Sequence, residues 1–321
     1  MTGENFFDIK HKELLSLCPP DVNRKDWAAF RQNFALTEKF VEFDHPLQLD
    51  VELNGGCNMK CPFCIHGYGD KIPNKKMEIA DYHRIIEEAV EIGVKSLKLN
   101  YINEPMLRKD LEECIKYARD KGILNVYMVT NGTCLNAKRR ESLLASGITK
   151  LFTSLDAVTA ETYDKQRLSG NFERVVENVE KFLELRNEHK LQFPLVRVSF
   201  LKNAANIHEA EAFQTYWEEK VDIISFQTMN EVPDQTTGLL LDAEQETTGG
   251  CSFPFKQLVV DHNGTILPCC KLAGRSLPLG NIATMTLKEA WNSKRIKQLR
   301  KIHRTDEWRQ HPVCFKCMVP K

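Results

Sequence analysis

From Leu47 onward, apolar and polar positions repeat in a fixed order: a short β-rich run, then a longer stretch with apolar residues three and four apart. The β-rich runs begin at Leu47, Ser96, Asn125, Lys150, Val196 and Asp222, and residues 81–91, 111–121, 137–146, 172–186 and 207–219 carry the helical period between them. Strands joined through helices need crossover connections, which predicts a parallel sheet. Such a sheet is covered on both faces or closed on itself, so the pattern leaves an open doubly wound sheet or a partial barrel. Ahead of it, residues 1–46 read as two amphipathic helices, 10–17 and 26–39, separated by Cys18-Pro19-Pro20. The period fails after residue 228, and 229–250 reads as a linker ending in Thr247-Thr248-Gly249-Gly250. In 251–321, strands at 258–261 and 265–267 flank a His262-Asn263-Gly264 hairpin turn, and a helix is expected over 287–300. The division is therefore 1–46, 47–228, 229–250 and 251–321.

Charge removes some partners. Lys plus Arg and Asp plus Glu are equal at 44 each among 321 residues, so neither nucleic acid nor an anionic membrane is the default partner. No apolar run reaches the length of a membrane span and the first residues lack the features of a signal peptide, so the expectation is a soluble, cytoplasmic protein. Its 11 cysteines then read as metal ligands rather than disulfides, because the cytosol keeps thiols reduced.

The densest group is Cys57-Asn58-Met59-Lys60-Cys61-Pro62-Phe63-Cys64, directly after the first β-rich run. Three thiolates can each hold one iron of a cubane 4Fe-4S cluster, leaving the fourth iron open to a ligand that reacts. Gly55 and Gly56 are expected to let the backbone turn around it. A zinc site of Cys57, Cys61, Cys64 and His66 is the alternative. Glu104-Pro105, Thr130-Asn131-Gly132 and Ser154-Leu155-Asp156 follow the next three runs, and the C-terminal ends of parallel strands collect at one mouth. The second cysteine set is Cys251, Cys269, Cys314 and Cys317, spaced C-x17-C-x44-C-x2-C, which suits an iron-sulfur cluster or a four-thiolate zinc ion. Cys270 competes with Cys269, since adjacent strand side chains point to opposite faces.

The CxxxCxxC loop with Phe63 before its third cysteine resembles that of the radical S-adenosylmethionine (SAM) enzymes. The resemblance implies a partial (β/α)6 barrel and a cluster on Cys57, Cys61 and Cys64 that splits bound SAM to a 5′-deoxyadenosyl radical. It also implies Glu104 on the SAM amino group, Ser154 and Asp156 on the ribose, Arg167 on the carboxylate, and Phe63 and Asn131 at the same mouth. Ile102-Asn103 stand where the family has two glycines. The C-terminal cysteines resemble the SPASM, or twitch, domain, a small α+β unit holding an auxiliary 4Fe-4S cluster. The implied activity is oxidation of a small molecule such as a sugar or aminocyclitol, with the auxiliary cluster as electron acceptor and a flavodoxin- or ferredoxin-like donor. Alternatives are an epimerase, with Cys270 as hydrogen donor, a peptide-modifying enzyme, or a non-catalytic zinc-binding interaction protein. His66, Asp70 and Tyr101 are the candidates for a proton acceptor near the mouth.

Overall fold

The computed structural model describes residues 14, 17–69, 72–229, 239, 241 and 249–319. Strands β1 (Gln48–Val51), β2 (Ser96–Lys98), β3 (Asn125–Thr130), β4 (Lys150–Ser154), β5 (Leu195–Lys202) and β6 (Ile223–Thr228) pair in parallel. Helix α1 (Arg24–Thr37) precedes them, and α2 (Ile65–Tyr68) follows the cysteine loop. The crossovers are α3 (Ile79–Ile92), α4 (Leu111–Asp120), α5 (Ala137–Ala145), α6 (Ala160–Gln166) with α7 (Phe172–Glu188), and α8 (Ala210–Trp217). The six strands lie side by side in chain order. A doubly wound sheet reverses its strand order at a switch point; this one does not, which makes it a partial barrel wound in one sense.

The two faces of the sheet differ in chemistry. Leu49, Val51, Leu97, Val126, Met128, Leu151, Val196, Val198 and Phe200 form one apolar cluster with Tyr82, Ile86, Ile115, Val179, Phe182 and Phe213 of the helices. Residues one position on point the other way, and they are largely polar. Register aligns Asp50 with Lys98, Lys98 with Tyr127, Phe152 with Arg197, and Ser154 with Ser199 and then Ser225. This polar face lines the lumen. Helix α1, capped by the Asn23 side chain, crosses the N-terminal end of that lumen. Its Trp27 ring lies 5.5 Å from Lys150 Nζ at the start of β4, and Glu38 just beyond the helix pairs at 2.8 Å with Lys256.

The C-terminal unit continues the same sheet. After α9 (Phe253–Lys256), strand β7 (Gln257–Val260) pairs in parallel with β1, from Gln48 opposite Gln257 to Val51 opposite Val260. Strands β8 (Thr265–Leu267) and β9 (Gly280–Asn281) add antiparallel. The expected hairpin forms, with Gly264 in the left-handed region (φ +82°) and its N–H donating to Asp261 O at 2.8 Å. The expected 287–300 helix is instead two, α10 (Leu287–Asn292) and α11 (Lys294–Arg304), because Ser293 is extended (φ −63°, ψ 155°) and caps the second. Helix α12 (Pro312–Met318) carries the last cysteines. Most of the 10–17 helix and of the 229–250 linker lies outside the described residues. No helix among those described is long and apolar enough to cross a membrane.

Candidate active site

The cysteine loop leaves β1 at the C-terminal end of the barrel, with Cys61 buried and Cys57 and Cys64 half-buried. Gly55 and Gly56 do not adopt left-handed φ; they are needed for space. A Cβ on Gly56 would lie 2.5 Å from Asn74 Oδ1, and one on Gly55 would lie 2.6 Å from the His262 ring and from Pro73 O. N–H groups point at the sulfurs: Met59 N is 3.5 Å and Asn131 Nδ2 is 3.9 Å from Cys57 Sγ, and Arg167 Nη1 is 3.9 Å from Cys61 Sγ. Burial pushes the Cys57 thiol up to about 11 and raises Cys64 as well. These thiols keep their protons unless a cationic metal offsets the charge, and a donor set of three thiols ringed by N–H groups fits an iron-sulfur cluster. His66 Nε2 sits 3.0 Å from Ile102 O. Among the described residues no three Cys, His, Asp or Glu side chains converge as ligands of a single ion would.

Glu104 is 2% exposed and ties three strand ends together. Thr130 Oγ1 (2.7 Å) and Met106 N (3.0 Å) donate to Oε1, Asn131 N donates to Oε2 (2.7 Å), and Glu104 N donates to Gly56 O (3.0 Å). Burial pushes the carboxyl up against the pull of those bonds. At Ile102-Asn103, Asn103 Nδ2 donates to Asn54 Oδ1 (3.1 Å) and Ile102 N to Glu52 Oε1 (3.2 Å), so side chains do the bracing. Asn131 Nδ2 also holds Asn58 Oδ1 at 2.8 Å, fixing the cysteine loop to β3.

Asp156 and Arg167 meet, which their sequence positions did not announce. Asp156 is 1% exposed, sits at φ +64°, and gives one carboxylate oxygen to Arg167 Nη2 and the other to Leu201 N (2.7 Å). Both oxygens thus brace the turn after β4, each with a lone pair left over. Arg167 stands over the Phe63 ring at 5.6 Å. Ser154 lies half-buried on the luminal face, in register with Ser199, whose buried hydroxyl has no partner. Tyr101 spends its hydroxyl on Lys271 O (2.8 Å), and Asp70 is outside the described residues. Residues that sequence reasoning missed are the luminal Asp50–Lys98 pair, Tyr127, Arg197, and the Glu52–His262 contact of 2.6 Å. Their signal was present, as charged residues alternating with apolar ones inside strands.

Cys251, Cys269, Cys314 and Cys317 line one cavity walled by Phe253, Pro254, Leu277 and Leu299. Burial pushes Cys251 up to about 11 and Cys314 to about 12. A Cβ on Gly274 would lie 2.6 Å from Cys269 Sγ, so this glycine leaves that sulfur its space. Four half-buried thiols and no carboxylate in a cavity of mostly apolar walls fit a fully ligated cluster. Cys270 does not line it; it packs with Tyr101, Val259 and Leu267 instead.

Comparison with known proteins agrees with this geometry. The radical SAM superfamily model matches residues 51–198, and the SPASM iron-sulfur cluster-binding domain model matches residues 251–318. A probable GTP 3′,8-cyclase of Methanococcus maripaludis (strain C5) is 29% identical over 160 residues, 50% of this chain and 51% of that protein, so the match spans about half of that relative's length. The solved structure of BtrN in complex with AdoMet and 2-DOIA superposes with TM-score 0.56 at 18% identity, covering 85% of this chain and 93% of BtrN. Streptococcus suis SuiB bound to S-adenosylmethionine superposes with TM-score 0.64 at 18% identity, covering 91% and 77%; SuiB has also been solved with precursor peptide SuiA. At these identities the structural likeness speaks for the fold. With both family models satisfied in their proper order along one sheet, the chain belongs to the radical SAM superfamily and carries a C-terminal SPASM domain.

Proposed function

We propose that the chain is a radical SAM oxidoreductase that dehydrogenates a small metabolite of the sugar or aminocyclitol kind. It would hold one 4Fe-4S cluster on Cys57, Cys61 and Cys64 and a second on Cys251, Cys269, Cys314 and Cys317. The observation that carries the reading is the pair of thiol sites on one sheet, one opening at the barrel mouth and one enclosed by apolar side chains. When bound, the first cluster would supply, with SAM and one electron from an outside donor, the means to take a hydrogen atom from a substrate carbon, and the second would accept the electron released as the substrate hydroxyl gives its proton to water.

The chain's own residues do the placing. Glu104 has lone pairs left for the ammonium of SAM after its three internal bonds, a charge-assisted pairing. Arg167, held by Asp156, sets its guanidinium beside Cys61 and over Phe63 of the cysteine loop, where a SAM carboxylate or a cluster sulfur can meet it. Asn131 orients the loop through Asn58, and the Ser154 hydroxyl faces the lumen as a partner for substrate or ribose hydroxyls. Small-molecule chemistry is supported by the likeness to BtrN with 2-DOIA, although SuiB with SuiA indicates that the fold also admits a peptide. A second reading, epimerisation, is favoured by one observation: Cys270 packs on Val259 and Leu267 of the luminal face, positioned to return hydrogen to a substrate radical.

Anaerobically reconstituted protein with SAM, reductant and a panel of sugars and aminocyclitols tests the choice by product mass. A product lighter by two hydrogens supports dehydrogenation. An isomer of unchanged mass, lost in Cys270→Ala while deoxyadenosine still forms, supports epimerisation. Deoxyadenosine without any change in the panel compounds sinks the proposed substrate class.

A further inference from the structure

Among the described residues, two basic side chains in the lumen have no carboxylate partner. Arg197 points inward from β5, its guanidinium 3.6 Å from the Phe152 ring centroid, with Nε buried and unpartnered. It makes no hydrogen bond or ion pair among the described residues. One row nearer the closed end, Lys150 is 4% exposed, with the Trp27 face at 5.5 Å and the charges of Arg31 and Arg197 acting on it. Other luminal groups are paired: Lys98 with Asp50, and Glu52 with the His262 ring. Burial pulls the Arg197 guanidinium down to about 10, which leaves it cationic at neutral pH.

A desolvated guanidinium without a counter-charge is unfavourable in a folded protein, and its fork of donors matches an oxyanion. Arg197 is also reachable. It is only half-buried, and the next row toward the mouth is Ser154, Ser199 and Ser225 in register, with the Ser199 hydroxyl buried and unpartnered. A polar track therefore runs from the mouth to the cation.

We propose that the lumen takes its substrate by an oxyanion, carboxylate or phosphate, paired with Arg197, with Ser199 donating from the row above and Lys150 beneath. This rests on reading the lumen as the substrate chamber, and it narrows the class from neutral sugars to acidic or phosphorylated ones.

The test titrates inorganic phosphate, and separately acetate, into the reconstituted protein at constant ionic strength set with chloride, followed by calorimetry and by thermal unfolding. Saturable binding of either anion, weakened about tenfold or more in Arg197→Met and partly restored in Arg197→Lys, is the expected result. Phosphate alone identifies a phosphorylated substrate, and acetate alone a carboxylate. Without added anion, Arg197→Met should unfold no earlier than wild type, because it removes an unmatched buried charge. Absence of saturable binding by both anions, or equal binding by Arg197→Met, overturns the proposal. So does a lower unfolding temperature for Arg197→Met in the chloride buffer without phosphate or acetate. None of these readouts uses SAM cleavage, so protein that fails to cleave SAM yet binds an anion defeats the radical reading alone.

Discussion

Replacing Asp156 by asparagine isolates the charge of its ion pair. The side chains of Asp156 and Arg167 are 1% and 12% exposed, so removing one carboxylate leaves a guanidinium enclosed without its partner. Losses of about 3–5 kcal/mol follow when one member of a buried pair is removed. Asparagine tolerates the left-handed φ of +64° found here, whereas alanine does not, so Asp156→Ala should lose about 1–2 kcal/mol more. Arg167 also lies 3.9 Å from Cys61 Sγ. Cluster loading brings negative charge to that sulfur, so the loss in Asp156→Asn should be smaller in reconstituted than in iron-free protein. Urea unfolding of both forms under anaerobic conditions measures these differences. If Asp156→Asn stays within about 0.5 kcal/mol of wild type in both forms, the pair is not what holds this corner of the mouth, and the carboxylate is free for a ligand.

Further outcomes follow from other contacts. Gly274→Ala places a methyl 2.6 Å from Cys269 Sγ and should cost about 1–3 kcal/mol by overpacking. It should also lower the iron count by one cluster, which iron analysis after anaerobic reconstitution will detect. The Glu209 carboxyl lies below its usual range: burial pulls it up, but bonds from Thr159, Thr162 and Val158 outweigh burial. Its contribution is therefore complete above the unfolded value of about 4.3 and lost as pH falls through the lower folded value. Glu209→Gln should remove that part of the acid dependence in a pH series of unfolding curves. Burial pulls Lys150 down to about 7, with Arg31 and Arg197 adding to the effect. The unfolded chain then binds the extra proton from pH 7 up to about 10.4, so wild-type stability rises across that window, and Lys150→Met should flatten the rise.

Much of the barrel was written in the sequence. Leu49-Asp50-Val51-Glu52-Leu53 alternates strictly, and a parallel strand covered by helices on both faces would not. That alternation already favours a polar lumen over a second helical layer. The break at Ser293 was also legible, since Ser293 stands three residues before Ile296 as a cap, and Thr286 with Glu289 forms a capping box. Other features depend on distant parts of the chain. The pairing of β7 with β1 joins strands about two hundred residues apart, and no local pattern specifies it. The Asp156–Arg167 pair needs the turn after β4 and the end of α6 to meet, and Gly55 needs the imidazole of His262 beside it. The choice between Cys269 and Cys270 likewise rested on where the chain leaves β8, with Cys269 facing the four-thiol cavity.

The most direct measurement is iron content and deoxyadenosine formation in the anaerobically reconstituted protein, beside a variant with Cys57, Cys61 and Cys64 all changed to alanine. Wild type should bind about eight irons, as two cubanes, and cleave SAM on reduction; the variant should keep about four irons and form no deoxyadenosine. A variant that keeps the full iron count, or still cleaves SAM, would contradict the account.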